Sequence, residues 1–494
     1  MQGLILLGIL VVTTINGFSQ TTQVKEKSVD KPITVLLSGD YADPSILKDG
    51  ANYYMTNTSI NYFPGLRVWH STDLKNWKPI GYALTRYVGE VWAPDFIKHG
   101  DTYYIYFPAY PGTNWVVTAK SPYGPWSEPI DLHVKGIDPG HIVGTDGKRY
   151  LYFNDGKVAE LNADGLSLKE EPRKVYEGWQ YPKDWTVECM CAESPKLHFY
   201  NGWYYLTTAQ GGTSGPGTSH MVVQARSKSP LGPWENSPHN PIVHTYSSAE
   251  NWWSKGHGTI VQKPQTGWTV VYHAYEKNNL PHGRQVLMED LEYTKDGWYH
   301  LQRNPMVEST TVVIPNLKTV SDDFNSEKLH EQWQFSEMYN PKDATLANGK
   351  LIVNSYNDSI KAMHTTVGTP NYEIAIELNA DSTVETGLIA YYRDNGYAGI
   401  SIKGNKISRV GTSLKYGSPV INIANIRFLK IRMLNYDLTM QYSTDGINWI
   451  TYPNSMNLQT YQHNNLGRFS SLKPGIYWKG KGKLLIDNFT FKAL

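Results

Sequence analysis

One local phrase, repeated five times between Asp43 and Tyr272, constrains the fold of this chain more than any other feature. Each copy runs from a polar residue through a few apolar ones to a turn, then into a Tyr- or Trp-rich strand. The copies are Asp43-Pro44-Ser45-Ile46 with Asn52-Tyr53-Tyr54, Pro94-Asp95-Phe96-Ile97 with Tyr103-Tyr104-Ile105, and Asp138-Pro139-Gly140-His141-Ile142 with Tyr150-Leu151-Tyr152. Glu193-Ser194-Pro195 with Trp203-Tyr204-Tyr205, and His257-Gly258-Thr259-Ile260 with Trp268 and Tyr272, complete the set. From Asp43 to Asp95, Asp138, Glu193 and His257 the steps are 52, 43, 55 and 64 residues. Short strands, glycine turns and a period of roughly 40 to 50 residues describe propeller blades. Five blades bring five equivalent strand starts to one axis, so Asp43, Asp95, Asp138, Glu193 and His257 predict an axial pocket lined with acids.

The repeats fill residues 33–302, and a propeller domain over 33–305 follows. Beyond Met306, the stretch to Asp322 carries no copy and reads as a connector. Period-two alternation then dominates, as in Tyr372-Glu373-Ile374-Ala375-Ile376 and Leu429-Lys430-Ile431-Arg432-Met433, with an Asp445-Gly446 turn between strands. Many short alternating strands without helical periodicity predict a β-sandwich over 320–494. The fold class is therefore all-β, a five-bladed propeller followed by a sandwich, with almost no helix.

Composition narrows the partners. With 46 Lys and Arg against 45 Asp and Glu, the chain has no basic stripe for nucleic acid and no charged tail. Its 35 Tyr and 16 Trp outnumber 12 Phe, which favours rings that pack on one side and meet water or a ligand on the other. An apolar run from Leu4 to Thr13, followed by Gly17-Phe18-Ser19-Gln20, reads as a signal peptide over 1–19 and places the mature chain in the periplasm or outside the cell. No other stretch is suited to crossing a bilayer, and oligomeric state is left open. The two cysteines, Cys189 and Cys191, read as small half-buried thiols: on a strand their Cα atoms would stand near the upper limit for a disulfide.

Cleaving a glycosidic bond takes one carboxylic acid to protonate the leaving oxygen and a second carboxylate to attack or to activate water. Asp43, Asp138 and Glu193 supply both, and the third group can tune the acid by like-charge repulsion. At these residues the chain resembles glycoside hydrolase family 43, five-bladed propellers that act on xylan- and arabinan-type glycans. Ala42-Asp43-Pro44-Ser45 matches the family's general-base phrase, Ile137-Asp138-Pro139 its pKa-modulating Asp, and Glu193-Ser194-Pro195 its general-acid phrase. Trp92-Ala93-Pro94-Asp95, His257 in Gly256-His257-Gly258 and Arg284 in Gly283-Arg284-Gln285 also match. The resemblance thus implies Trp92, Asp95, His257 and Arg284 as substrate-binding residues, no required cofactor, and a structural calcium reached indirectly through His257. Gly140-His141 departs from the family pattern and leaves pocket shape open, and Glu188 stands near enough to Glu193 to be a rival acid. Asp322-Asp323-Phe324-Asn325 with Trp333, Tyr442-Ser443-Thr444-Asp445-Gly446 with Trp449, and Asp487-Asn488-Phe489 resemble the concanavalin-like C-terminal sandwich of β-xylosidases. Together these imply an inverting exo-glycosidase that removes terminal xylose or arabinofuranose from plant poly- or oligosaccharides. In it, Asp43 is the base, Glu193 the acid, and Asp138 raises the pKa of Glu193. An endo-arabinanase on the same scaffold and a non-catalytic carbohydrate-binding protein are the alternatives.

Overall fold

The computed structural model describes residues 31–306, 310–314, 320–336, 343–412 and 419–494. The signal-peptide reading of 1–19 lies outside them. Four of the repeats form four- or five-stranded antiparallel sheets whose inner strands are Ser45–Asp49, Asp95–His99, Gly140–Val143 and Glu193–Tyr200. These are blades 1 to 4. Blade 5 opens on Trp252–Gln262 and borrows Ile33–Leu37, which pairs antiparallel with Arg284–Tyr293. The ring is therefore closed by hydrogen bonds between the first and last parts of the domain. Within the connector, Thr311–Val313 adds a parallel edge strand to Ile33–Val35, a pairing invisible to a search for the blade repeat.

Tyr-rich strands fit this architecture because each blade packs a face on its neighbour. Tyr53, Tyr106, Tyr152, Tyr205 and Tyr272 are fully buried, and some hydroxyls still find a partner, as Tyr272 does in the Glu289 carboxylate at 2.6 Å. Helix among the described residues amounts to one turn at His463–Leu466 and two 3-10 turns. None is long and apolar enough to cross a membrane.

The second domain is a curled thirteen-stranded sheet folded over its own core. Strand Tyr372–Ala380 shows the local cause, burying Tyr372, Ile374, Ile376 and Leu378 while the residues between stay more open. The 21-residue strand Lys473–Ala493 pairs with Lys350–His364, Tyr372–Ala380 and Val384–Arg393, which joins both layers. Propeller and sandwich share a packed seam. Tyr62, from the propeller, is buried in a sandwich cluster with Ile389, Tyr391 and Tyr477, and its hydroxyl donates to the Tyr392 carbonyl at 2.6 Å. The buried Glu90 accepts from Arg393 at 2.6 Å across the same seam.

Candidate active site

Four residues adopt left-handed backbone at the axis: Asp43 at φ 57°, Asp138 at 56° and Ser194 at 54° at or just before inner strands, and His257 at 51° in a bulge within Trp252–Gln262. Such conformations cost L residues of order 1 kcal/mol or more and persist where the surroundings impose them. Here they turn the chain at the axis, where the side chains of Asp43, Asp138 and His257 converge with that of Glu193. His257 Nε2 lies 3.0 Å from Glu193 Oε1 and 3.6 Å from Asp138 Oδ2, while its Nδ1 lies 3.3 Å from Asp43 Oδ1. Three carboxylates thus share one imidazole, with Asp43 and Glu193 against different nitrogens.

The charges settle as this crowding requires. Burial by itself would lower the His257 pKa, but Asp43, Asp138 and Glu193 outweigh it and push it up to about 9, so the ring is a cation at neutral pH. Burial would raise Asp43. Arg284, whose Nη1 stands 3.1 Å from Asp43 Oδ1, overcomes it together with His257 and His273 and holds Asp43 well below the usual carboxylate range. Asp138 is raised to about 7, first by burial and then by the negative charge of Glu193 and Asp43. Its Oδ2 accepts the backbone N–H of Ser194 at 3.0 Å, which ties blade 3 to the residue beside Glu193. Of the three acids, Glu193 is the one that reaches into open space: its side chain is 18% exposed, against 5% for Asp43 and 3% for Asp138.

Two glycines make this approach feasible. A Cβ on Gly140 would stand 1.8 Å from the Pro195 carbonyl oxygen, so the departure after Asp138-Pro139 is a close backbone contact between blades 3 and 4. His141 points away from the pocket, accepts from Arg149 Nε at 3.0 Å and stacks on Tyr106. A Cβ on Gly256 would fall 1.7 Å from His220 Cδ2. His220 is one of two buried histidines that local sequence does not single out. The other, His273, stands 3.0 Å from Asp43 Oδ1 and is lowered to about 4 by burial, hence neutral. Glu193, His220 and His257 each bring one ligand atom within 4.8 Å of the others. Two imidazoles and one carboxylate do not suit calcium, which takes six to eight oxygens. A calcium held directly by this set therefore does not fit, and no step below runs through a metal.

The cavity above this cluster measures about 280 Å³ and is walled by Asp43, Trp92, Asp138, Glu193, His257 and Arg284, all expected from sequence. Trp92 stacks on Tyr110 with centroids 5.0 Å apart. Asp95 is a correction. Its buried carboxylate accepts from Ser45 Oγ, the His141 N–H and Lys196 Nζ, so it binds blades 1, 3 and 4 together and is absent from the wall. Glu188 is turned elsewhere and accepts from Ser214 Oγ. Cys189 and Cys191 also differ from expectation: they form a disulfide, with Cα atoms 5.3 Å apart, because this segment is not a strand and Cys191 takes φ 38°. Sequence reasoning missed several wall residues: Thr58, Ile60, Glu90 and Thr213 from the propeller, and Arg468 and Phe469, which come from the sandwich. The Phe469 ring lies 4.8 Å from the Arg284 guanidinium, and Arg468 lies 4.7 Å from the Tyr110 ring. Nothing local in Gly467-Arg468-Phe469-Ser470 marks a pocket.

Acid–base cleavage of a glycosidic bond needs paired carboxylates around a sugar-sized space, and the class so defined is a glycoside hydrolase. Comparison with known families bears this out: residues 32–299 match glycosyl hydrolases family 43, and residues 321–484 match the beta xylosidase C-terminal concanavalin A-like domain. The chain belongs to glycosyl hydrolases family 43. It is 28% identical over 490 residues to a xylan 1,3-beta-xylosidase of a Vibrio species, covering 84% of this chain and 89% of that one. It is 30% identical over 356 residues to the non-reducing end alpha-L-arabinofuranosidase BoGH43B of Bacteroides ovatus, covering 66% and 64%. Among solved structures, the GH43 protein BlXynB of Bacillus licheniformis superposes with a TM-score of 0.82 at 25% identity, over 94% of this chain and 100% of that one.

Proposed function

We propose that this protein is an inverting exo-glycosidase that releases a terminal xylose or arabinofuranose from xylan-type chains. The observation that carries the reading is the placement of Asp43 and Glu193 against different nitrogens of His257. Inversion calls for carboxyls roughly 6.5–9.5 Å apart, with a water between base and sugar, whereas retention calls for about 5 Å. An imidazolium lodged against both acids favours the wider gap. Asp43, kept ionised by Arg284, accepts the proton of the attacking water. Glu193, the acid open to the cavity, gives its proton to the leaving oxygen. Asp138 and His257 set how many protons the cluster holds and orient Glu193, since charges this close titrate as a group. Arg284, held against Asp43 and covered by Phe469, lines the cavity and supplies its positive charge.

Exo action rests on the sandwich. A cavity of about 280 Å³ falls at the small end of ligand sites, which run from about 300 Å³ upward, and Arg468 and Phe469 wall one side of it. That space suits one pentose rather than a continuous chain. The relatives named as β-xylosidase and non-reducing-end arabinofuranosidase support the same substrate class. The Cys189–Cys191 disulfide supports an oxidising compartment, consistent with export by the N-terminal apolar run. Asp43→Ala and Glu193→Gln should each lower kcat on aryl xylosides and arabinofuranosides by about 10²- to 10⁴-fold with the fold kept. NMR of the first-formed product anomer checks the stereochemistry; a retained anomer, or a fully active Asp43→Ala enzyme, would sink the assignment.

A further inference from the structure

A second group of ligating side chains lies at the outer rim of the propeller, where blades 4 and 5 meet, and takes no part in the pocket. His239 follows the outermost blade 4 strand, Glu235–Asn236; Asp296 sits in the turn between Arg284–Tyr293 and Tyr299–Leu301 of blade 5, and His300 lies on the latter strand. One ligand atom from each comes within 4.8 Å of the other two. His239 Nε2 stands 3.0 Å from Asp296 Oδ2, and the two imidazole rings approach to 3.9 Å between centroids.

An ion pair between His239 and Asp296 would account for the first contact but not for the second histidine. His300 Nε2 is buried and has no hydrogen-bond partner, a cost a folded protein seldom leaves unanswered. The carboxylate is already oriented, since Asp296 Oδ1 accepts from Thr294 Oγ1. Such a supporting contact is typical of a metal-binding carboxylate. Glu292 is paired across the strand from His300 and adds negative charge on that side. Arg226 donates to the Asp296 backbone carbonyl, but its own charge is taken up by Glu235 at 3.0 Å.

We propose that His239, Asp296 and His300 form a zinc site that clasps blade 4 to blade 5. Two imidazoles and a carboxylate are a common zinc donor set, with solvent completing a tetrahedron, and they offer too few oxygens for calcium or magnesium. Bound there, the ion adds a clasp at the outer rim to two blades already joined at the axis by His257 and Glu193 and farther out by Arg226 and Gln224. It strengthens the blade that also carries the ring-closing strand.

The test is a calorimetric zinc titration of the full-length, chelator-stripped protein, with thermal melts in parallel. Because Glu193, His220 and His257 offer the pocket a competing donor set, the comparison must be between wild type and rim variants. His239→Gln and His300→Ala should each remove one binding event, or weaken it by about 10- to 100-fold or more. They should also abolish the zinc-induced rise in melting temperature. Turnover without added metal should match wild type. A metal-free His239→Gln protein should melt within a degree or two of wild type, since the His239 side chain is 38% exposed and pairs only with an exposed carboxylate, so the loss of binding is not a loss of fold. An unchanged titration and melting shift in both variants, or no zinc binding by wild type, would overturn the proposal.

Discussion

At His257 three carboxylates meet one ring. Its pKa, about 9 in the fold against an ordinary 6.5, means that the folded protein holds a proton the unfolded chain releases. By linkage, the stability this contributes is fully present below about pH 6.5 and is lost as pH rises through 9. Urea unfolding at pH 6.5 and pH 9 should therefore show a steeper alkaline loss for wild type than for His257→Gln; equal slopes would mean that the ring is neutral in the fold. Asp43 runs the other way. Its lowered pKa keeps it charged through the neutral range, so its contribution falls away only when pH drops below the usual carboxylate range. At this scale sequence reasoning named the three acids, because Asp-Pro opens two of the repeats and Glu-Ser-Pro a third. It missed His220 and His273, buried histidines whose neighbours are fixed by packing across the axis and by no local phrase. It misplaced Asp95, since a strand-start acid looks the same in sequence whether it faces a pocket or a buried lysine.

At the scale of elements, the innermost strands set how closely the acids approach. Gly140→Ala would drive a methyl into the Pro195 carbonyl, in backbone with little freedom to yield. Overpacking of this kind costs about 1–3 kcal/mol. We expect a lower melting temperature together with a fall in kcat, because Asp138 and Glu193 flank the contact on either side. A variant with unchanged stability would show that blades 3 and 4 part easily. The Gly467–Leu472 loop acts on the other face of the pocket. Phe469→Ala should raise KM for short substrates more than it lowers kcat, since the ring covers Arg284 and walls the cavity without touching the carboxylates. A selective drop in kcat would instead place Phe469 in the chemistry. Leu472 N–H donating to the Pro281 carbonyl at 2.8 Å holds that loop against blade 5.

Across the whole molecule, two long-range closures decide whether a site exists. The first is the pairing of Ile33–Leu37 with blade 5, which fixes the fifth strand start and hence His257. The second is the seam to the sandwich, where Glu90 accepts from Arg393 and lies 3.4 Å from Arg468. Glu90→Gln removes a buried charge from two arginines, a loss of about 3–5 kcal/mol when one partner of such a pair goes. It should loosen the Arg468–Phe469 wall, read as faster proteolysis of the loop and weaker binding of monosaccharide product, together with a lower melting temperature. By itself, the sequence determined the blade count, the all-β class, the sandwich and the acids at the axis, because each is written in repeats or alternation a few residues long. Only the tertiary structure decided which acids share the imidazole, that Asp95 is a buried strut, that the cysteines pair, and that a distant loop walls the pocket. Apart from the cysteines, whose pairing turns on the local backbone at Cys191, those depend on contacts between segments tens to hundreds of residues apart, where burial and neighbouring charge, rather than local pattern, fix what a side chain does.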